Sequence, residues 1–193
     1  MLDVITLRVG QIAVNCYMVG SVIIDPGDDA EYIMSHLPKK PELIIATHGH
    51  FDHIMAAFAI QKTHNIPVYI HAEDIFFVNR MKESAEHFLG IVTDPTPEVT
   101  PLSKRSIAGL TIIHAPGHTP GSICLYDKQR GVVFCGDTMF RGGAVGRTDH
   151  SYSSSRDLAQ SIRKLLRLPS QTLLLSGHGE PSSVGKERPF HVQ

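Results

Sequence analysis

The sequence predicts an α/β fold arranged as a four-layer αββα sandwich, two sheets with helices on their outer faces. Three observations lead there: strand and helix signals alternate along the whole chain, the first 25 residues read as three consecutive strands, and the later strands end at short glycine-bearing motifs. Periodicity specifies this alternation but not the number of layers.

Taken in order, residues 2–9, 13–18 and 21–25 form a meander with Gly10 and Gly20 at its turns. The run IIDPGDDAEYIMSHL leaves a strand at Asp25, turns at Pro26 and Gly27, and opens a helix near Asp29 that Pro38 closes. A short strand at 43–46 feeds THGHFDH, 54–63 has the apolar density of a buried helix, and PVYIH is the next strand. Residues 80–106 are polar, carry prolines and lack sustained periodicity, which predicts a helix remnant followed by a long surface excursion overhanging a site. Strands return at 110–114, 122–126 and 132–135, before a glycine-rich loop at 141–146. Ser153, Ser154 and Ser155 offer N-caps for a helix with Leu158, Ile162, Leu165 and Leu166 on one face, which Pro169 ends. A last strand at 173–175 feeds SGHGE.

With 193 residues, 42% hydrophobic and 19% charged, the chain is sized for a single domain, 1–193, with a sizeable core. A net charge of -1 and a pI near 6.9 leave no basic field for a nucleic-acid backbone. The uncharged stretch 9–24 contains Gln11, Asn15 and two glycines and has no basic region before it, so neither a signal peptide nor a membrane span is expected. Cys16, Cys124 and Cys135 are odd in number and widely spaced, which fits a reducing cytoplasm. Twelve histidines stand against no tryptophan, and five of them fall within three short glycine-bearing motifs.

The first motif, HGHFDH, places His48, His50, Asp52 and His53 at a strand-to-helix junction. On an extended exit, residues two apart point to one side, so His48 and His50 can grip one ion while Asp52 and His53 turn toward another. A helix starting near His53 disfavours imidazolium there, and neutral imidazole is what a metal requires. APGHTPGS puts His118 in a turn after a strand, FCGDTMF puts Asp137 just past another, and SGHGE does the same for His178. Each residue alone has an ordinary reading as a loop histidine or turn former. Together they occupy strand ends, where α/β proteins assemble sites from distant parts of the chain.

HGHFDH, GHTPGS, CGDTMF and SGHGE, in that order, resemble the metallo-β-lactamase superfamily, and the resemblance covers nearly the whole chain. GRTD at 146–149 followed by GHGEPSSVGKER is similar to the glyoxalase II-like hydrolases in particular. IDPG at 24–27 is similar to an early family motif whose aspartate, here Asp25, supports the metal loops without binding metal, and NCY at 15–17 also fits. The resemblance implies that His48, His50 and His118 hold one ion, that Asp52, His53 and His178 hold another, and that Asp137 bridges them. It implies two divalent metal ions, zinc ahead of iron or manganese, with water between them and Asp52 orienting the resulting hydroxide. Two dications against two carboxylates and one hydroxide leave about +1, which favours an anionic or carbonyl-bearing substrate and hence hydrolysis of a thioester or ester.

Arg147 and Arg141 follow the bridging aspartate and are candidates to pair with a substrate carboxylate; the alternative for Arg147 is a bridge to Asp149. Tyr17, Phe51, Met139 and Phe140 either line the pocket or pack, and Cys135 reads as a small core residue. Full-length glyoxalase II carries a helical domain after the last metal histidine, and fifteen residues after His178 leave no room for one. Persulfide dioxygenases share the fold, many of these histidines and a GRTD stretch, but use one iron. A non-enzymatic zinc-binding module would close the shell with four ligands per ion, and ribonuclease-type members carry RNA-binding surface this composition lacks.

Overall fold

A computed structural model describes residues 4–191. Its contacts divide the chain into two units, Met1–Leu102 and Ser103–Gln193, each with its own sheet, helices and core. Among the described residues no helix is long and apolar enough to cross a membrane.

The first unit holds a six-stranded sheet in which spatial order equals chain order. β1 (Val4–Val9), β2 (Val14–Val19) and β3 (Val22–Ile24) form the meander, and β4 (Leu43–Ile45), β5 (Val68–Ile70) and β6 (Val99–Pro101) then add parallel to β3. Helix α1 (Ala30–Ser35) buries Ile33, and α3 (Ala57–His64) buries Ile60, against Val9, Met18, Ile23 and Ile44. Each such isoleucine contributes roughly 1.5–3 kcal/mol of hydrophobic stabilisation. A second cluster joins Phe51, Ile54, Ile70, Val78, Met81 and Ala85.

The helix expected at 54–63 is two pieces, α2 (Phe51–Ile54) and α3. The reason is local: Gly27 N–H donates to the carbonyl of His53 (3.0 Å) and Ala56 N–H donates to the carbonyl of Gly27 (2.7 Å). The turn after β3 thus takes backbone groups that an unbroken helix would use internally.

A short 3₁₀ turn (Ala72–Asp74) and α4 (Ile75–Asn79) precede the stretch 80–106, in which α5 (Met81–Leu89) is the expected helix remnant and residues 90–98 are irregular and mostly exposed; the expectation is corrected at its end, where β6 extends the sheet. Only Met81 and Ala85 of α5 are buried, and β6 is three residues long with Pro101 at its end, so neither leaves a periodic signal. Proline is tolerated there because β6 is the sheet edge.

The second unit holds another six-stranded sheet, ordered β12-β11-β10-β9-β8-β7. It comprises β7 (Ser106–Ile107), β8 (Leu110–His114), β9 (Ile123–Asp127), β10 (Val132–Gly136), β11 (Leu173–Ser176) and β12 (Ser182–Ser183). Pairing is antiparallel except between β10 and β11. Helix α6 (Ser155–Leu165) starts where Ser154 caps Asp157 N–H, and its Leu158, Ile162 and Leu165, with Leu166, enter a core with Ala115, Cys124, Val133 and Leu174. The chain ends its described course in α7 (Val184–His191), which carried no expectation from sequence.

Candidate functional site

In the first unit, three adjacent parallel strands release the residues of interest at their C-terminal ends. β3 leads to Asp25, β4 to His48, His50, Asp52 and His53, and β5 to Asp74. His50 sits in extended backbone (φ -64°, ψ 144°) directly before α2, so the HxH pair leaves β4 before the chain coils. The His48 ring centroid is 4.8 Å from that of His50 and 4.1 Å from that of His53. Asp52 Oδ2 stands 3.7 Å from His53 Nε2.

Asp25, at 1% exposure, organises this loop. Its Oδ1 accepts Thr47 N–H (2.6 Å), and its Oδ2 accepts both the Thr47 hydroxyl (2.6 Å) and His53 Nδ1 (3.1 Å). Because the single hydroxyl proton of Thr47 goes to Asp25, Thr47 Oγ1 can only accept from His48 Nδ1, 3.2 Å away. Both imidazoles therefore carry their proton on Nδ1 and turn the Nε2 lone pair to coordination, the role that supporting carboxylates serve around metal-binding histidines.

Asp74 and Thr47 carried no expectation from sequence. Asp74 is fully buried and accepts Gly49 N–H through Oδ2 at 2.8 Å. A side chain at Gly49 would approach the Asp74 carbonyl to 2.6 Å and Phe77 to 2.9 Å, which is why the residue between the two histidines is glycine. An acid just past a strand end was the available signal for Asp74; Thr47 offered none beyond its place next to His48.

In the second unit His118, Asp137 and His178 converge. Asp137 Oδ2 lies 3.7 Å from His118 Nε2 and 3.8 Å from His178 Nε2. These separations exceed hydrogen-bonding distance. Two ligands each about 2.1 Å from one ion would stand roughly 3.3–3.8 Å apart for bond angles near 105–130°, a range that includes both separations. His118 Nδ1 donates to the carbonyl of Arg147 (2.9 Å), and Ser153 Oγ donates to the carbonyl of His118 (2.8 Å). Gly177 N–H donates to Gly136 carbonyl (2.8 Å), continuing the β10–β11 pairing to the point where Asp137 and His178 emerge. Gly146 packs against the Asp137 carbonyl and the His118 ring, leaving no space for a Cβ.

An open pocket of about 420 Å3 is lined by His118, Asp137, His178, Phe140, Val145 and Arg147, with Gly146 and Gly179. The Arg147 guanidinium forks onto Asp149, Nε to Oδ1 at 3.0 Å and Nη2 to Oδ2 at 2.7 Å, with 70% and 62% of the two side chains exposed. The hydrogen bond from Arg147 holds the Asp149 carboxyl down at about 2. Arg141 is exposed on the same glycine loop. Of the four undecided lining residues, Phe140 faces the pocket, while Tyr17, Phe51 and Met139 are buried packing residues. Cys135 is wholly buried, its thiol pushed well above its ordinary range by desolvation and then by neighbouring Cys124.

Comparison with known proteins matches residues 9–178 to the metallo-β-lactamase superfamily. A probable metallo-hydrolase of Bacillus subtilis, YqgX, is 34% identical over 94% of this chain and 94% of its own length. The hydroxyacylglutathione hydrolase GloC of Haemophilus influenzae is 31% identical, covering 90% of this chain and 89% of its own. A crystal structure of TTHA1623 in a di-iron-bound form superposes with a TM-score of 0.91 at 32% identity, over 97% of this chain and 98% of the other. The α/β class expected from sequence is thereby the fold of the chain, with two mixed sheets flanked by helices.

Proposed function

We infer the function from the family and the site together: the chain belongs to the metallo-β-lactamase superfamily, and a probable metallo-hydrolase is among its relatives. We propose that it is a dinuclear metal-dependent hydrolase of thioesters or esters, similar to hydroxyacylglutathione hydrolase. His48, His50 and His118 would hold one ion, Asp52, His53 and His178 the other, and Asp137 would stand between them. The observation that carries this reading is Asp137 Oδ2, set 3.7 Å and 3.8 Å from two histidine Nε2 atoms, too far to hydrogen-bond and spaced as a shared ligand. The donor set fits: five imidazoles and two carboxylates suit zinc, iron or manganese, and Nδ1 is committed at His48, His53 and His118.

When bound, such ions supply Lewis acidity and a water acidic enough to ionise near neutrality. The protein's own residues do the rest. Asp25 and Thr47 fix the Nδ1 protons of His53 and His48 and aim both rings, the Arg147 carbonyl does so for His118, and Asp52 would accept a hydrogen bond from the attacking water. Phe140 and Val145 wall the open pocket and offer apolar contact to an acyl group. Arg147 and Arg141 remain candidates for a carboxylate on the substrate, with Arg147 requiring release from Asp149 to serve. We also propose a cytoplasmic setting, on the odd number and wide spacing of the three cysteines.

The test is elemental analysis of the purified protein coupled to a panel of thioesters, lactones, a β-lactam and a persulfide. Near two ions per chain with thioester or ester cleavage and no oxygen uptake is the expected result. One iron with oxygen consumption, or bound zinc without turnover, would replace the reading with a dioxygenase or a binding module.

A further inference from the structure

The strand pair that walls the pocket is braced from outside the ligand set. Met139 and Val145 pair antiparallel, Phe140 N–H donates to the Ala144 carbonyl (2.8 Å), and the tip is made of Gly142 and Gly143 at φ 79° and 80°. Gly143 N–H donates to Glu187 Oε2 at 2.8 Å, Gly142 adds a second backbone donor, and Ser182 Oγ donates to Glu187 Oε1. Glu187 is only 1% exposed. Burial pushes its carboxyl up, and the three donors more than offset that, holding it below the ordinary glutamate value.

The helix bearing Glu187 is itself clamped. Arg188 donates to Ser170 Oγ (2.9 Å) and to the carbonyls of Leu166 (2.8 Å) and Leu168 (3.4 Å), at the end of α6. Gly185 N–H donates to the Ser170 carbonyl at 2.8 Å. Phe190 lies on Gly143, where a Cβ would come within 2.7 Å of it. On its other side the hairpin runs through Val145 and Gly146 to Arg147, whose carbonyl takes His118 Nδ1 at 2.9 Å. A continuous series of short contacts therefore joins α6 and α7 to a candidate metal ligand.

We propose that Glu187 is a positioning residue: by holding the 139–147 hairpin it sets the Phe140–Val145 pocket wall and the Arg147 carbonyl that orients His118. The activity consequence rests on the proposed hydrolase reading; the structural consequence does not. Glu187→Gln keeps the side-chain size but turns an amide donor toward one of the donors it now accepts.

Hydrogen exchange and zinc affinity, the latter by competition with a chromogenic chelator, are the deciding measurements on the full chain. In Glu187→Gln, exchange at amides 140–147 is expected to rise about tenfold while β9 and β10 stay protected. Zinc affinity is expected to fall about tenfold, the low end for loss of a residue supporting a metal ligand. KM for a thioester cleaved by the wild type should rise more than kcat falls. Exchange that is unchanged at 140–147, or raised equally throughout β8–β11, overturns the proposal, as does a local rise with wild-type zinc affinity. If Glu187→Gln does not fold, Ser182→Ala, which removes one donor and leaves the carboxylate on the glycines, must show the same local pattern at smaller size. A wild type inactive on every thioester and ester defeats the hydrolase reading and leaves the exchange and zinc results to decide this one.

Discussion

Replacing Asp25 by asparagine should disarm the first-unit ligands while sparing the fold. The carboxylate accepts three hydrogen bonds, at 2.6, 2.6 and 3.1 Å, from Thr47 N–H, Thr47 Oγ1 and His53 Nδ1. In Asp25→Asn the Thr47 amide admits only an oxygen, so Oδ1 stays there and Nδ2 takes the position of Oδ2. The new NH2 donates to Thr47 Oγ1 and to His53 Nδ1, which forces the His53 proton onto Nε2. The Thr47 hydroxyl, no longer needed by residue 25, is turned toward His48 Nδ1 and forces the same change there. Two Nε2 lone pairs are thus lost to coordination without loss of a side chain. The number of hydrogen bonds is conserved and charge assistance is lost on three, so the apoprotein should lose about 1–3 kcal/mol. Metal affinity should fall 10- to 100-fold or more. Urea unfolding of the metal-free protein measures the first quantity and chelator competition the second. Wild-type affinity for two ions in Asp25→Asn would refute the proton assignments at both histidines.

Three further outcomes follow from the same contacts. Gly146→Ala drives a methyl into the Asp137 carbonyl and the His118 ring, so it should cost roughly 1–3 kcal/mol by overpacking and reduce metal content, which Leu158→Met, a near-isosteric change in the same unit's core, should not do. Ile162→Ala should destabilise by about 2–5 kcal/mol in denaturant unfolding, since this side chain is 5% exposed in the core beneath α6. The Asp149 carboxyl titrates near 2 in the folded protein, below its ordinary value of 3.8, so its ion pair contributes fully above that value and is lost as pH falls through 2. An NMR titration of the Asp149 side-chain carbon checks this, and Arg147→Ala should return the midpoint toward 3.8.

Much of the fold was legible because its signals are local. The 2–25 meander shows as apolar runs between Gly10 and Gly20, and α6 as a stripe of Leu158, Ile162 and Leu165 after a serine cap that does bond Asp157 N–H. The break between α2 and α3 was not legible, because it is caused by Gly27, whose place beside His53 and Ala56 depends on β3 pairing with β4. The same holds for β6, a three-residue strand that exists through its parallel partner β5. At the site, His48, His50, Asp52, His53, His118, Asp137 and His178 were legible as candidates from motif and position, since the proposed metal ligation restricts residue type. Their supporting partners were not: Thr47, Asp74 and Glu187 act through hydrogen bonds to groups between 1 and 44 residues away.

By itself, then, the sequence determined the 2–25 meander, helix α6, which residue types stand at the strand ends, and the family these imply, because propensity, periodicity and ligand chemistry act over a few neighbours. Tertiary structure alone decided where Asp137 Oδ2 lies between two histidine nitrogens, which imidazole nitrogen keeps its proton, and that Arg147 faces Asp149. The first two depend on contacts between segments far apart in the chain, as between Asp25 and His53, and the third on a choice between two exposed geometries that sequence left open.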